Sequence, residues 1–144
     1  MEEAVRLLMD VMAIPTVNGR DDEGKAAEYL CAYLQAAGLE AGVDRIDSTH
    51  ANVTAVLEGR SPETVIWNGH LDTVPYGTGA DWHTDPSVPA IKGERLYGRG
   101  ASDMKSGLCA MVSALCQYAR TGKRPSRTIR FIGPCDEERN GLGA

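Results

Sequence analysis

The sequence predicts an α/β fold with a largely parallel mixed sheet flanked by helices. Two observations predict it. The hydrophobic period changes along the chain in the order helix, helix, strands, helix, strand. The residues with chemistry to offer, His70, Asp72, Asp103, Glu137 and Glu138, each fall just after a predicted strand. In α/β sheets, ligands gather outside the carboxyl ends of strands.

Residues 1–12 predict a short amphipathic helix with Val5, Leu8, Met9 and Met12 on one face. Ile14-Pro15-Thr16 ends it, because the residue before a proline is pushed out of the helical region. Asp21-Asp22-Glu23 places acid at the start of a second helix, where the dipole favours it. That helix runs to about Ala37, with Ala26, Tyr29, Leu30, Tyr33 and Leu34 inward and Gly38 just past its end.

The period then shortens. Ala41–Ile46 and Val53–Leu57 read as strands, separated by a turn from Thr64–Asn68, a nearly continuous apolar run suited to the middle of a sheet. The proline-bearing, aromatic stretch from Val74 to Lys92 predicts a long loop, and loops of that length inside a compact domain are often functional. Arg95–Gly98 is a short strand. A long helix begins near Met104, with Leu108, Met111, Val112, Leu115, Cys116 and Ala119 at helical spacing and Gly107 permitting close approach to the sheet. Ser126–Gly133 is the last strand and feeds Pro134-Cys135-Asp136-Glu137-Glu138.

A chain of 144 residues predicts one domain with a real core. The net charge of −5 and the lack of a basic block speak against a general nucleic-acid binder. Met1-Glu2-Glu3 is acidic where a secretory signal is basic, and no apolar run is long enough to span a bilayer. The expectation is a soluble, cytoplasmic protein with no nucleic-acid or membrane partner. Of the cysteines, Cys31, Cys109 and Cys116 sit in apolar helical contexts as core thiols, and neighbouring carboxylates blunt Cys135 as a nucleophile.

Three stretches carry chemistry. In Asn68-Gly69-His70-Leu71-Asp72-Thr73, residues i and i+2 share a face, so His70 can bind a metal while Asp72 orients its ring. Alone, the pair reads more readily as a surface histidine beside a turn aspartate. Asp103 follows Gly98 and Gly100; a carboxylate there can bridge two cations, or simply cap a helix. A dinucleotide loop does not fit, because Asp103 replaces the third glycine of that fingerprint. Ser102 is no nucleophile elbow, because Met104 replaces its second glycine.

Glu137 and Glu138, read as strand residues, point to opposite sides, so that one can bind metal and the other address a water. Adjacent like charges resist ionising together unless a cation compensates, although a solvated acidic turn has the same sequence. Taken together, the stretches point to a metal centre. Histidine with carboxylates suits zinc, with cobalt and manganese as alternatives.

Gly69-His70-Leu71-Asp72-Thr73-Val74-Pro75, Leu96–Gly107 and Asp136-Glu137-Glu138 resemble the M20 metallopeptidases. That family includes acetylornithine deacetylase, succinyl-diaminopimelate desuccinylase, aminoacylases and carboxypeptidase G2. The resemblance implies part of a zinc-peptidase catalytic domain over residues 1–144. It implies His70 as ligand of one zinc, Asp72 as its orienter, Asp103 as the bridging carboxylate, Glu137 as general base and Glu138 as ligand of the second metal. It also implies a cis peptide at Asp103-Met104, metal-dependent hydrolysis of amide bonds in small N-acyl amino acids or peptides, and homodimers formed through a domain this chain lacks. Asn140 stands where the family often has glycine, and asparagine tolerates left-handed backbone. Family members take a further acidic ligand and a histidine from beyond the matching region, so a truncated, non-catalytic fragment with weak or no metal binding is the alternative expectation.

Overall fold

The computed structural model describes residues 2–144; the expected helical start at Met1 lies outside them. The elements are α1 (Glu3–Ala13), α2 (Gly24–Ala36), β1 (Glu40–Arg45), β2 (Ala51–Leu57), β3 (Ser61–Asn68), β4 (Ala90–Lys92), β5 (Arg95–Tyr97), α3 (Lys105–Arg120) and β6 (Arg127–Gly133). Their order is the one the hydrophobic periods predict.

The main sheet has the order β1-β2-β6-β3, and β4 and β5 form a separate hairpin at the end of the long loop. It is mixed, with parallel pairing confined to β3 and β6; β1–β2 and β2–β6 are antiparallel. The turn after β1 closes through Ile46 N–H to His50 C=O, at 2.9 Å, and a turn that short can only return the chain antiparallel. Parallel pairing needs a long crossover, and the segment containing α3 supplies it between β3 and β6.

β3 lies at the edge of the sheet rather than in its middle, and Ile66 is 61% exposed. An apolar run has the same composition in both places, and only the partners decide. In α1 the buried side chains are Leu7, Val11 and Met12, so the inward stripe is rotated from the expected Val5, Leu8, Met9 and Met12. α1 lies chiefly against α3, and it is that neighbour which selects the face.

All three helices share one core. Leu7 and Val11 of α1, Leu30 and Leu34 of α2, and Leu108, Val112 and Leu115 of α3 join Val53 and Ala55 of β2 and Phe131 of β6. At about 25 cal/mol per Å² of apolar area removed from water, these side chains dominate the favourable side of folding. Strand alternation turns Thr54, Ile66 and Arg130 outward, where they are exposed.

Adjacent, parallel β3 and β6 end side by side, and this arrangement builds the site. Their ladder continues past both strands, through Gly69 N–H to Ile132 C=O at 3.2 Å and Leu71 N–H to Pro134 C=O at 2.9 Å. The close approach expected at Gly107 occurs instead at Gly69. A Cβ there would stand 2.7 Å from Met111 Cε and 3.0 Å from Met104 Cε, whereas one at Gly107 meets only Met104 Cε at 3.4 Å.

Candidate metal centre

His70 is buried, and its two nitrogens have different surroundings. Nδ1 lies 3.0 Å from the backbone carbonyl of Asp72 and 3.4 Å from Asp72 Oδ1. In the neutral ring a proton on Nδ1 serves both of these acceptors, and Nε2 faces the acids. Nε2 is 3.2 Å from Asp103 Oδ1 and 3.8 Å from Glu137 Oε2. One donor atom each from His70, Asp103 and Glu138 lie within 4.8 Å of one another. The chain therefore brings together every residue singled out by the sequence, with Asp72 behind the histidine.

Asp72 is fully buried and holds the site together. Its Oδ1 accepts the backbone N–H of Glu137 at 3.1 Å; its Oδ2 accepts that of Glu138 at 3.0 Å and the Asn18 side-chain amide at 2.8 Å. Burial alone would raise its pKa, but the hydrogen bonds from His70, Glu138, Asn18 and Glu137 outweigh it and hold the carboxyl below its ordinary value. The bond to Asp72 works against burial to lift His70 to about 9. Burial, reinforced by the charge of Asp103, raises Glu138. Carboxylates crowded on an imidazole in this way make an N/O donor set suited to a divalent cation, whose charge would offset the repulsion that Asp103 adds to burial at Glu138.

Glu137 and Glu138 differ from expectation in one respect. β6 ends at Gly133, and both glutamates lie in the turn beyond it. Strand alternation does not separate them; the turn, pinned at both backbone N–H groups by Asp72, does. Glu137 lines a cavity of about 210 Å³ together with His70, Asn68 and Met104. Glu138 lines another of about 330 Å³ with Asn18, Val74, Pro75 and Arg139. The Asp103-Met104 peptide is cis, as the resemblance implies. The left-handed residue of the acidic turn is Asp136, at φ 57°, not Asn140.

The sequence model of peptidase family M20/M25/M40 matches residues 66–144, more than half of the chain, including His70, Asp72, Asp103, Glu137 and Glu138. The chain belongs to this family. Among curated M20 relatives, a probable succinyl-diaminopimelate desuccinylase of Staphylococcus epidermidis is 33% identical over 143 residues, which is 99% of this chain and 35% of the relative. The succinyl-diaminopimelate desuccinylase of Methylibium petroleiphilum is 40% identical over 112 residues, covering 73% of this chain and 28% of the relative. The chain thus spans about a third of the length of the curated relatives it matches. Of solved structures, an M20 family metallo-carboxypeptidase from Sulfolobus solfataricus has a TM-score of 0.85 at 23% identity, over 96% of this chain and 32% of that one. Human carnosine dipeptidase 1 has a TM-score of 0.82 at 24% identity, over 98% and 33%. These likenesses establish an M20-type α/β fold.

Three residues to which the sequence assigns no role in the site stand against Asp72. Buried Glu23 and Asp136, with half-buried Asn18 between them and Asp72, form a layer behind Asp72. Asn18 Nδ2 lies 2.9 Å from Asp136 Oδ1 and 3.4 Å from Glu23 Oε1, and Glu23 Oε2 accepts the Asp136 N–H at 2.8 Å. Glu23 reads from sequence as a helix-start acid; it is fully buried, and burial pushes it up to about 7. No local motif marks Asn18 or Glu23, and Asp136, although part of the acidic motif, has no role assigned by it, because these contacts span more than a hundred positions of chain. The Cys135 thiol is raised, as expected, to about 11, but chiefly by burial, with the carboxylates of Glu23, Asp136 and Asp72 adding to it.

Proposed function

We propose that this chain supplies the N-terminal portion of an M20 catalytic domain, residues 1–144, that hydrolyses amide bonds in small N-acyl amino acids or peptides. The observation that carries this reading is the meeting of His70, Asp103 and Glu138 donor atoms within 4.8 Å at the ends of separate elements. The relatives' names point the same way: succinyl-diaminopimelate and carnosine both contain an amide next to a carboxylated amino acid.

His70 and Glu138 would each hold one divalent cation, with Asp103 shared between them. Zinc suits this donor set best, with cobalt or manganese as substitutes. Such ions supply Lewis-acid polarisation of the amide carbonyl and a lowered pKa for water. The chain's own residues do the rest. Asp72 fixes the His70 tautomer and, through the backbone N–H groups of Glu137 and Glu138, the position of the acidic turn. Glu137 accepts the proton of the attacking water and delivers it to the departing amine as the C–N bond breaks. The products are a carboxylic acid and an amine, and Glu137 ends in its starting state. The four buried, unpaired thiols suit a reducing compartment such as the cytoplasm.

A second reading, that the chain alone binds metal without turnover, is favoured by one observation. The Asp103 side chain is 77% exposed and that of Glu137 58%, so water reaches the reacting groups freely. Electrostatic stabilisation of a transition state is strongest where water is excluded. Hydrolysis of N-succinyl- and N-acetyl-amino acids in the presence of Zn²⁺ separates the two. Turnover by the wild type that falls by at least about a hundredfold in Glu137→Gln, with metal binding intact, supports catalysis. No turnover, or turnover unchanged in that variant, removes it.

A further inference from the structure

We propose that Asn18 is a positioning residue. Its side-chain amide ties Asp72 to Asp136 and so fixes where the acidic turn presents Glu137 and Glu138. The proposal rests on the reading above that these glutamates serve a metal centre.

The Asn18 NH₂ group faces three acidic side chains, all buried. It lies 2.8 Å from Asp72 Oδ2, 2.9 Å from Asp136 Oδ1 and 3.4 Å from Glu23 Oε1. A primary amide has two N–H donors, and the two short contacts use both. Acidic groups this close, away from water, repel one another unless donors stand between them. A neutral amide supplies those donors without adding a charge of its own. Aspartate, its isostere, would instead add another carboxylate to the cluster.

The clamp is hydrogen-bonded to its surroundings at both ends. Asn18 donates its backbone N–H to Thr73 C=O at 2.9 Å, and Val17 pairs with Thr73 as a parallel bridge. The stretch carrying Asn18 is thus stitched to the residue after Asp72. At the other end, Asp136 organises the turn. Its N–H is held by Glu23, its Oδ2 accepts Leu142 N–H at 3.2 Å, and its carbonyl accepts Gly141 N–H at 2.6 Å. Between the clamped ends sit Glu137 and Glu138, whose N–H groups reach the same Asp72 carboxylate. Releasing Asn18 frees Asp72 and Asp136 to move apart, and the two glutamates follow.

The test uses Asn18→Ala and Asn18→Asp in the chain as it stands, with two readouts. In the metal-free protein, amide hydrogen exchange at Glu137 and Glu138 should quicken at least about tenfold in both variants, while Val53 and Ala55 of β2 keep their protection. Titrated with Co²⁺ alone, affinity should fall roughly 10- to 100-fold, as is usual for partners behind a metal ligand. Asn18→Ser, which keeps one donor, should fall between wild type and alanine on both readouts, and it decides the question if the other variants do not fold. Unchanged exchange at Glu137 and Glu138, or a uniform rise across the whole chain, would overturn the proposal. If the wild type binds no Co²⁺, the metal reading falls, and the exchange pattern alone still decides the role of Asn18.

Discussion

The carboxylate of Asp72 accepts the backbone N–H of Glu138 at 3.0 Å. A residue that follows β3 thus holds a residue that follows β6, and the same carboxylate lies 3.4 Å from the ring of His70. Replacing Asp72 by asparagine turns one acceptor oxygen into a donor that confronts these N–H groups. Losing a buried, multiply bonded carboxylate should lower stability by about 2–4 kcal/mol. It should also weaken Co²⁺ binding by roughly 10- to 100-fold. Urea unfolding and a spectroscopic Co²⁺ titration read the two effects separately.

Glu23 gives a pH dependence with a definite sign. Burial raises its folded pKa to about 7, above an ordinary carboxyl value of 4.5. Its neutral form fits the fold, so the stability it contributes is present below pH 4.5 and lost as pH rises through about 7. Asp72 and Asp136 are shifted the other way, so their contribution is lost only as pH falls below the ordinary aspartate range. Relative to wild type, Glu23→Gln should therefore gain roughly 2–3 kcal/mol between about pH 5 and about pH 7.5. Urea unfolding of both proteins at the two pH values checks this; a constant difference contradicts it.

Lys105 is buried, and its ammonium donates to the carbonyls of Val11 at 3.0 Å and Ile14 at 2.9 Å, closing the end of α1. Burial lowers its pKa to about 8. Gly100, at φ +80°, makes room for it: a Cβ there would stand 3.1 Å from Lys105 Cδ. Methionine can replace the aliphatic stem but takes a charged donor from both carbonyls, leaving Val11 C=O only the Ile14 N–H at 3.3 Å. Lys105→Met should lower stability by about 2–4 kcal/mol, read from the midpoint of denaturant unfolding.

Much of this was legible in the sequence because it is local. Gly69-His70-Leu71-Asp72 and Gly98–Asp103 each place a donor just past a strand, and strand ends are where α/β folds gather their ligands. What was not legible depends on neighbours. Thr64–Asn68 has the composition of a central strand and sits at an edge, because no further strand pairs with it among the described residues. Glu137 and Glu138 are placed by hydrogen bonds to Asp72, not by strand alternation. Asn18 and Glu23 have no signature at all, since a buried carboxylate or amide is defined by what folds over it.

The most direct measurement is a Co²⁺ titration of the wild-type chain beside His70→Ala, Asp103→Asn and Glu138→Gln, followed by visible absorption. A shared centre predicts saturable binding by the wild type, weakened at least about tenfold by each of the three substitutions. Binding that is absent in the wild type, or indifferent to all three, contradicts a cation site at the ends of β3 and β6.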